Sequence, residues 1–254
     1  MAVEFRFDPG FVEEAVFLQA AHPADARARQ MAAGFHQERE AAYGLTDAAH
    51  REATFQQLAR RYFQALGLER CVTDRFDELP LVRASIELAV IRRVWNRKDE
   101  QVELYTGGAP EAAPGWVVSR TVFLGMQPAR VLDRERFIAY LRHELTHVAD
   151  MLDPGFAYDP HPMLAGGSQV EDDLVRERFR VLWDCWVHGR LRRRGWPTLV
   201  DDAARQRDLG RTFGFVSKEE QASVFASACG QDHWTQAQLL ALARDERLTM
   251  LQLA

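Results

Sequence analysis

The sequence predicts an α+β protein, mostly helical, with a small β-sheet ahead of one histidine-bearing helix. Three observations point there. Residues 11 to 66, and most of the chain after residue 168, place apolar residues at helical spacing with only short breaks. Between residues 82 and 126, β-branched and aromatic residues gather in short runs bounded by turn formers. Runs of helix and runs of strand therefore follow one another instead of alternating, which is the α+β pattern. With no internal repeat and no low-complexity linker, the 254 residues are expected to form a single domain over 1–254. Its parts are a helical N-terminal part (1–80), a sheet with its helices (81–194) and a helical C-terminal part (195–254).

Taken in order, the first helices are separated at "AAHPAD" and "YGLTD", where proline, glycine and capping residues interrupt the pattern. His22, His36 and His50 in this part are widely spaced and are expected to be ordinary helix histidines. After Pro80, "ELAVIRRVW" and "QVELYTGG" flank the polar "NRKDE" and predict a hairpin with a longer loop; an alternative keeps 82 to 95 helical. "GWVVSRTVFLGM" follows "GGAPEAAPG" and predicts another strand. Asp133 has the position of an N-cap for a helix over 134–152, which "DPG" at 153–155 ends. "DPGFAYDPHPMLAGG" is then a long loop, and loops of that length in compact domains are often functional. Ser168 opens the longest helical pattern, to about Arg194, and "KEEQASVFASACG" and "TQAQLLALARDERL" continue helical. Trp183 and Trp186, near the middle of the long helix, are expected in the core.

Composition narrows the function classes. The net charge of -5 gives no reason to expect a nucleic-acid partner, and the basic run "GRLRRRG" suits the negative end of a helix dipole. Cys71, Cys185 and Cys229 are too far apart for a thiolate metal site and are expected to be buried free thiols in a reducing compartment. The N-terminal stretch has no basic region followed by an apolar one, and no apolar run is long enough to cross a bilayer. A cytoplasmic protein without a membrane partner is the expectation; oligomeric state is left open.

The stretch with chemical content is "LRHELTHVAD", residues 141–150. On a helix, His143 and His147 stand four residues apart on one face, so two imidazoles are able to reach one zinc ion. Glu144 is turned by about 100° from His143, beside an ion and not on it, where a carboxylate takes a proton from an attacking water. Leu145, Thr146 and Val148 are uncharged, as the floor of a buried site requires.

"HELTHVAD" resembles the active-site helix of the zincin metallopeptidases, with thermolysin-like gluzincins nearest over these few residues. The likeness covers the motif and the strand–helix–loop–helix order of about residues 116–185, and nothing in the first eighty residues shares it. It implies a zincin-like fold with His143 and His147 as zinc ligands and Glu144 as general base.

The third ligand is open. A metzincin spacing puts a ligand at Asp153 but wants glycine at position 150, where Asp150 stands. Asp150 suits a supporting bond to a ligating imidazole or a helix-end turn. A gluzincin takes a glutamate from the next helix, which selects Glu171; there "SQVE" is also a capping box, and Val175 stands where that pattern has an acid. Glu177, Asp184 and His188 form a second stripe at spacings of seven and four, either facing an ion or solvated. Glu171 is the residue selected, with Glu177 or Asp184 the alternative. Tyr158 and His161 in the long loop are candidates to stabilise a developing oxyanion.

The resulting expectation is a zinc-dependent hydrolase, a peptidase acting on peptide or protein with a zinc-bound water and Glu144 as base. The alternative is a binding or regulatory module that retains the metal site without turnover.

Overall fold

A computed structural model describes residues 3–107, 120–164 and 166–245. The first residues of the strand expected from 115, and the end of the last helical run past Asp245, lie outside them. The chain divides into two compact units, Met1–Val148 and Ala149–Ala254, and the division falls within one continuous helix.

In the first unit a short strand β1 (Glu4–Phe7) precedes five helices: α1 (Pro9–Ala21), α2 (Ala26–Tyr43), α3 (Ala48–Ala65), α4 (Leu68–Asp77) and α5 (Pro80–Ser85). Each of the first three begins at an aspartate whose carboxylate accepts a backbone N–H three residues on: Asp8 from Phe11, Asp25 from Ala28 and Asp47 from His50. α4 instead follows Gly67, whose φ of +71° a side chain would disfavour. His22, His36 and His50 are all exposed.

Strands β2 (Leu88–Arg93), β3 (Gln101–Thr106) and β4 (Arg120–Met126) complete a four-stranded mixed sheet in the order β1-β2-β4-β3. β1 and β4 both run parallel to β2, with Phe7 opposite Ile91 and Ile91 opposite Leu124; β3 runs antiparallel to β4, with Val102 opposite Leu124. The expected hairpin of β2 with β3 is therefore not formed, and β4 lies between them. The residues account for this. β4 is buried at five of its seven positions, as an interior strand needs, whereas β3 exposes Gln101, Glu103 and Tyr105 and suits an edge. "NRKDE" carries a single 3-10 turn over Arg97–Asp99. Residues 82–85 end α5 and 88–93 form β2, so the helical and extended expectations for 82–95 each hold in part.

Helix α6 (Arg134–Leu152) starts at Asp133, whose carboxylate accepts the Arg136 N–H at 3.0 Å. It ends at Asp153, which folds an Asx turn by accepting the Gly155 N–H at 2.8 Å.

In the second unit α7 (Gln169–Arg193) is the longest element, capped by Ser168 as expected, and packs with α8 (Asp202–Thr212), α9 (Lys218–Gly230) and α10 (Gln236–Arg244). Trp183 and Trp186 are core residues stacked on Phe156, with ring centroids 5.0 and 5.6 Å away. Gly189 lets α7 approach the α9 backbone, since a Cβ there would overlap Cys229. The three cysteines are free and buried. Among the described residues no helix is long and apolar enough to cross a membrane.

Candidate metal centre

Within the first unit, α6 lies where the apolar spacing of its sequence places it, with Phe137, Leu141, Leu145 and Val148 fully buried. His143 and His147 share that buried side, at 4% and 8% exposure, although imidazole is a polar group. Their Nε2 atoms are 3.3 Å apart and the ring planes meet at 82°. Two nitrogens about 2.0–2.1 Å from a tetrahedral zinc ion stand roughly 3.3 Å from each other. The pair thus has the separation that a shared ion requires, in an arrangement set only by the four-residue spacing on a regular helix.

The surroundings of α6 fix its orientation. The Arg142 guanidinium donates to both oxygens of Glu78, at 2.7 and 2.8 Å, joining the motif helix to the end of α4. Thr146 donates its hydroxyl to the Arg142 carbonyl at 2.6 Å, a bond that hides its polar group in a buried position. Tyr140 donates to the Gly125 carbonyl of β4 at 3.2 Å. Burial, reinforced by the Glu144 carboxylate one turn away, pushes the Tyr140 hydroxyl well above the usual tyrosine range. It is therefore neutral at any ordinary pH and available only as a hydrogen-bond donor or acceptor. Glu144 itself is half-buried, between solvent and the buried face.

Within the second unit, the acids considered as further ligands occupy three different environments. Glu171 is exposed in the first turn of α7; its amide donates to the Ser168 hydroxyl at 3.2 Å, and its carboxylate leans back over Gly167. Glu177 is exposed and bonded to Arg180 at 2.7 Å. Asp184 is half-buried and accepts from Arg205 at 2.9 Å, with the Arg205 side chain only 6% exposed. His188, from the same sequence stripe, is 1% exposed and bonded through Nε2 to Asp202 at 2.7 Å. Burial lowers its pKa below the usual histidine value, against the partial opposition of Asp202. The stripe Glu177–Asp184–His188 is thus one solvated acid, one half-buried acid and one structural histidine.

Asp150 has neither of its two expected roles. It is 2% exposed, and its carboxylate accepts from Trp183 Nε1 at 2.7 Å and from both Arg190 terminal nitrogens at 2.6 and 2.5 Å. Arg190 in turn lies over the Trp186 ring, 3.7 Å from its centroid. The only sequence signal for this network is a charge at a position of α6 that ought to be apolar.

The oxyanion candidates of the long loop lie elsewhere in the second unit. Tyr158 packs against Trp183 with centroids 6.0 Å apart, and its hydroxyl is pushed up by burial and by Asp159. His161 is exposed, with its backbone N–H on the Asp159 carboxylate. Gln236 donates its amide to the Asp159 carbonyl at 2.9 Å, so the loop is held to the start of α10.

Comparison of the chain with protein-family models, with curated proteins and with solved structures found no match.

Proposed function

We propose that this protein is a metal-dependent hydrolase in which His143 and His147 hold a divalent ion, zinc by the chemistry of the donors, and Glu144 is the general base. The observation that supports it most is the buried pair of imidazole nitrogens 3.3 Å apart. Of the acids considered as further ligands, Glu171 stands exposed at a helix start, while Asp184 is half-buried and oriented by a buried guanidinium. Two histidines and one carboxylate are a usual donor set of catalytic zinc, which leaves one coordination position for substrate or water.

When bound, an ion here supplies Lewis acidity to a substrate carbonyl and acidifies a water molecule. Glu144 then takes the water's proton on its half-buried carboxylate and delivers it to the departing amine. Tyr140, neutral and one turn from Glu144, helps keep that carboxylate's surroundings polar without competing for the proton. The resemblance of "HELTHVAD" to the zincin helix favours peptides as substrates.

The test is hydrolysis of a mixed peptide library by the purified protein, with and without a chelator, and by Glu144→Gln. Chelator-sensitive cleavage that disappears in the variant while its metal stays bound is the expected result. Metal retention with no cleavage of any peptide by the wild type would leave a metal-binding module in place of the enzyme.

A further inference from the structure

A concave site lies far along the chain from the histidines, entirely within the first unit. One face each of α1, α2 and α3 encloses a cavity of about 370 Å³. Glu13 and Phe17 line it from α1, Phe35, Arg39 and Tyr43 from α2, and Phe55 and Leu58 from α3. These residues recur at spacings of three and four, so each helix presents a stripe that would ordinarily be covered by a neighbour. Here the stripes meet around open space, and Phe17 and Tyr43 remain 44% and 50% exposed at its edge.

The walls are aromatic, but four charges stand among them: Glu14 and Arg93, bonded to each other at 3.0 Å, and Glu13 and Arg39, which stand outside that pair. Arg39 lies over the Phe17 and Tyr43 rings, 5.4 and 5.3 Å from their centroids. Its one hydrogen bond among the described residues is to the Tyr43 hydroxyl at 2.8 Å, which leaves most of its five donors for another acceptor. Glu13 is the complementary group. Burial and the neighbouring Glu52 and Asp8 raise its pKa, showing a carboxylate short of stabilising charge. Arg93 eases this only in part, because its guanidinium is bonded to Glu14 at 3.0 Å. Among the described residues no cation pairs with Glu13, and no carboxylate pairs with Arg39.

A ligand that is only apolar would bury both charges further without answering either, which is unfavourable. A monocarboxylate would answer Arg39 and leave Glu13 facing added negative charge; an amine would do the reverse. We propose that this cavity binds a free amino acid with a large apolar side chain, its carboxylate on Arg39, its ammonium on Glu13 and its side chain among the four rings. The volume lies at the low end of the range for small-molecule sites, as a ligand of that size requires. The proposal is independent of the metal centre, and failure of either leaves the other intact.

Titration calorimetry on the whole protein at neutral pH tests it, with L-phenylalanine, 3-phenylpropionate and phenethylamine as probes. The three share one apolar body and differ only in the charged ends. L-Phenylalanine is expected to bind at least about tenfold more tightly than either analogue, since each analogue leaves one half-buried charge without its partner. Arg39→Met should weaken L-phenylalanine to the level of phenethylamine, and Glu13→Gln to the level of 3-phenylpropionate. No heat of binding with L-phenylalanine overturns the proposal, as does equal or tighter binding of either analogue. Wild-type affinity in both variants would place the amino acid elsewhere and overturn it too. Should a variant fold poorly, the comparison of the three probes on the wild type still decides.

Discussion

A spacing of four residues from His143 to His147 is enough to bring two imidazole nitrogens to 3.3 Å, because a regular helix returns to the same face at that interval. For that reason the pair was legible in the sequence, and Glu144 with it. The choice of a further carboxylate was not. Sequence spacing shows that Glu171 can cap a helix and that Asp184 shares a stripe with His188, but not which carboxylate is dry. The structure puts Glu171 in solvent and Asp184 against a buried arginine. Two predictions belong at this scale. Glu144→Gln should retain the ion and lose at least about a hundredfold in hydrolysis rate, measured on any peptide that the wild type cleaves. Glu171→Ala should keep its metal and lose about 1 kcal/mol of stability or less in urea unfolding. A metal-free Glu171→Ala would return the ligand role to Glu171.

At the scale of elements, helix starts and strong apolar periodicity were legible, and partnerships between elements were not. Asp133 and Ser168 open α6 and α7 where capping chemistry puts them. β1 went unseen because four residues, "EFRF", alternate too briefly to separate from a helix start, and their pairing partner β2 is more than eighty residues away. The β2–β3 hairpin was expected from nearness in sequence; β4, apolar through most of its length, takes the interior place between them. Asp150 shows the same limit within a helix, since its partners Trp183 and Arg190 are over thirty residues on. Removing the buried carboxylate from beneath the half-buried Arg190 guanidinium leaves that charge without compensation. Asp150→Ala is therefore expected to cost about 3 kcal/mol or more, read as a lower urea midpoint with an unchanged slope. A midpoint within about 0.5 kcal/mol of wild type would show that water replaces the carboxylate without penalty.

For the molecule as a whole, acid and, on the proposed reading, metal shift stability. His188 is neutral in the fold because burial lowers its pKa below the ordinary 6.5. As pH falls through that value the unfolded chain takes up a proton first, so stability present above about pH 6.5 is lost on acidification towards the folded pKa. The urea midpoint should fall between about pH 7 and about pH 5, and less steeply in His188→Gln; an equal slope in both proteins would remove His188 as the cause. Metal acts in the other direction, since an ion held only by the folded chain raises the melting temperature and a chelator lowers it. The most direct test is the metal content of the purified protein, measured by inductively coupled plasma mass spectrometry on wild type, His143→Ala and His147→Ala. About one zinc ion per wild-type chain, and close to none in either variant, is the result that a shared ion between these imidazoles requires. A wild type that carries no metal even after incubation with zinc, or variants that keep it in full, would contradict it.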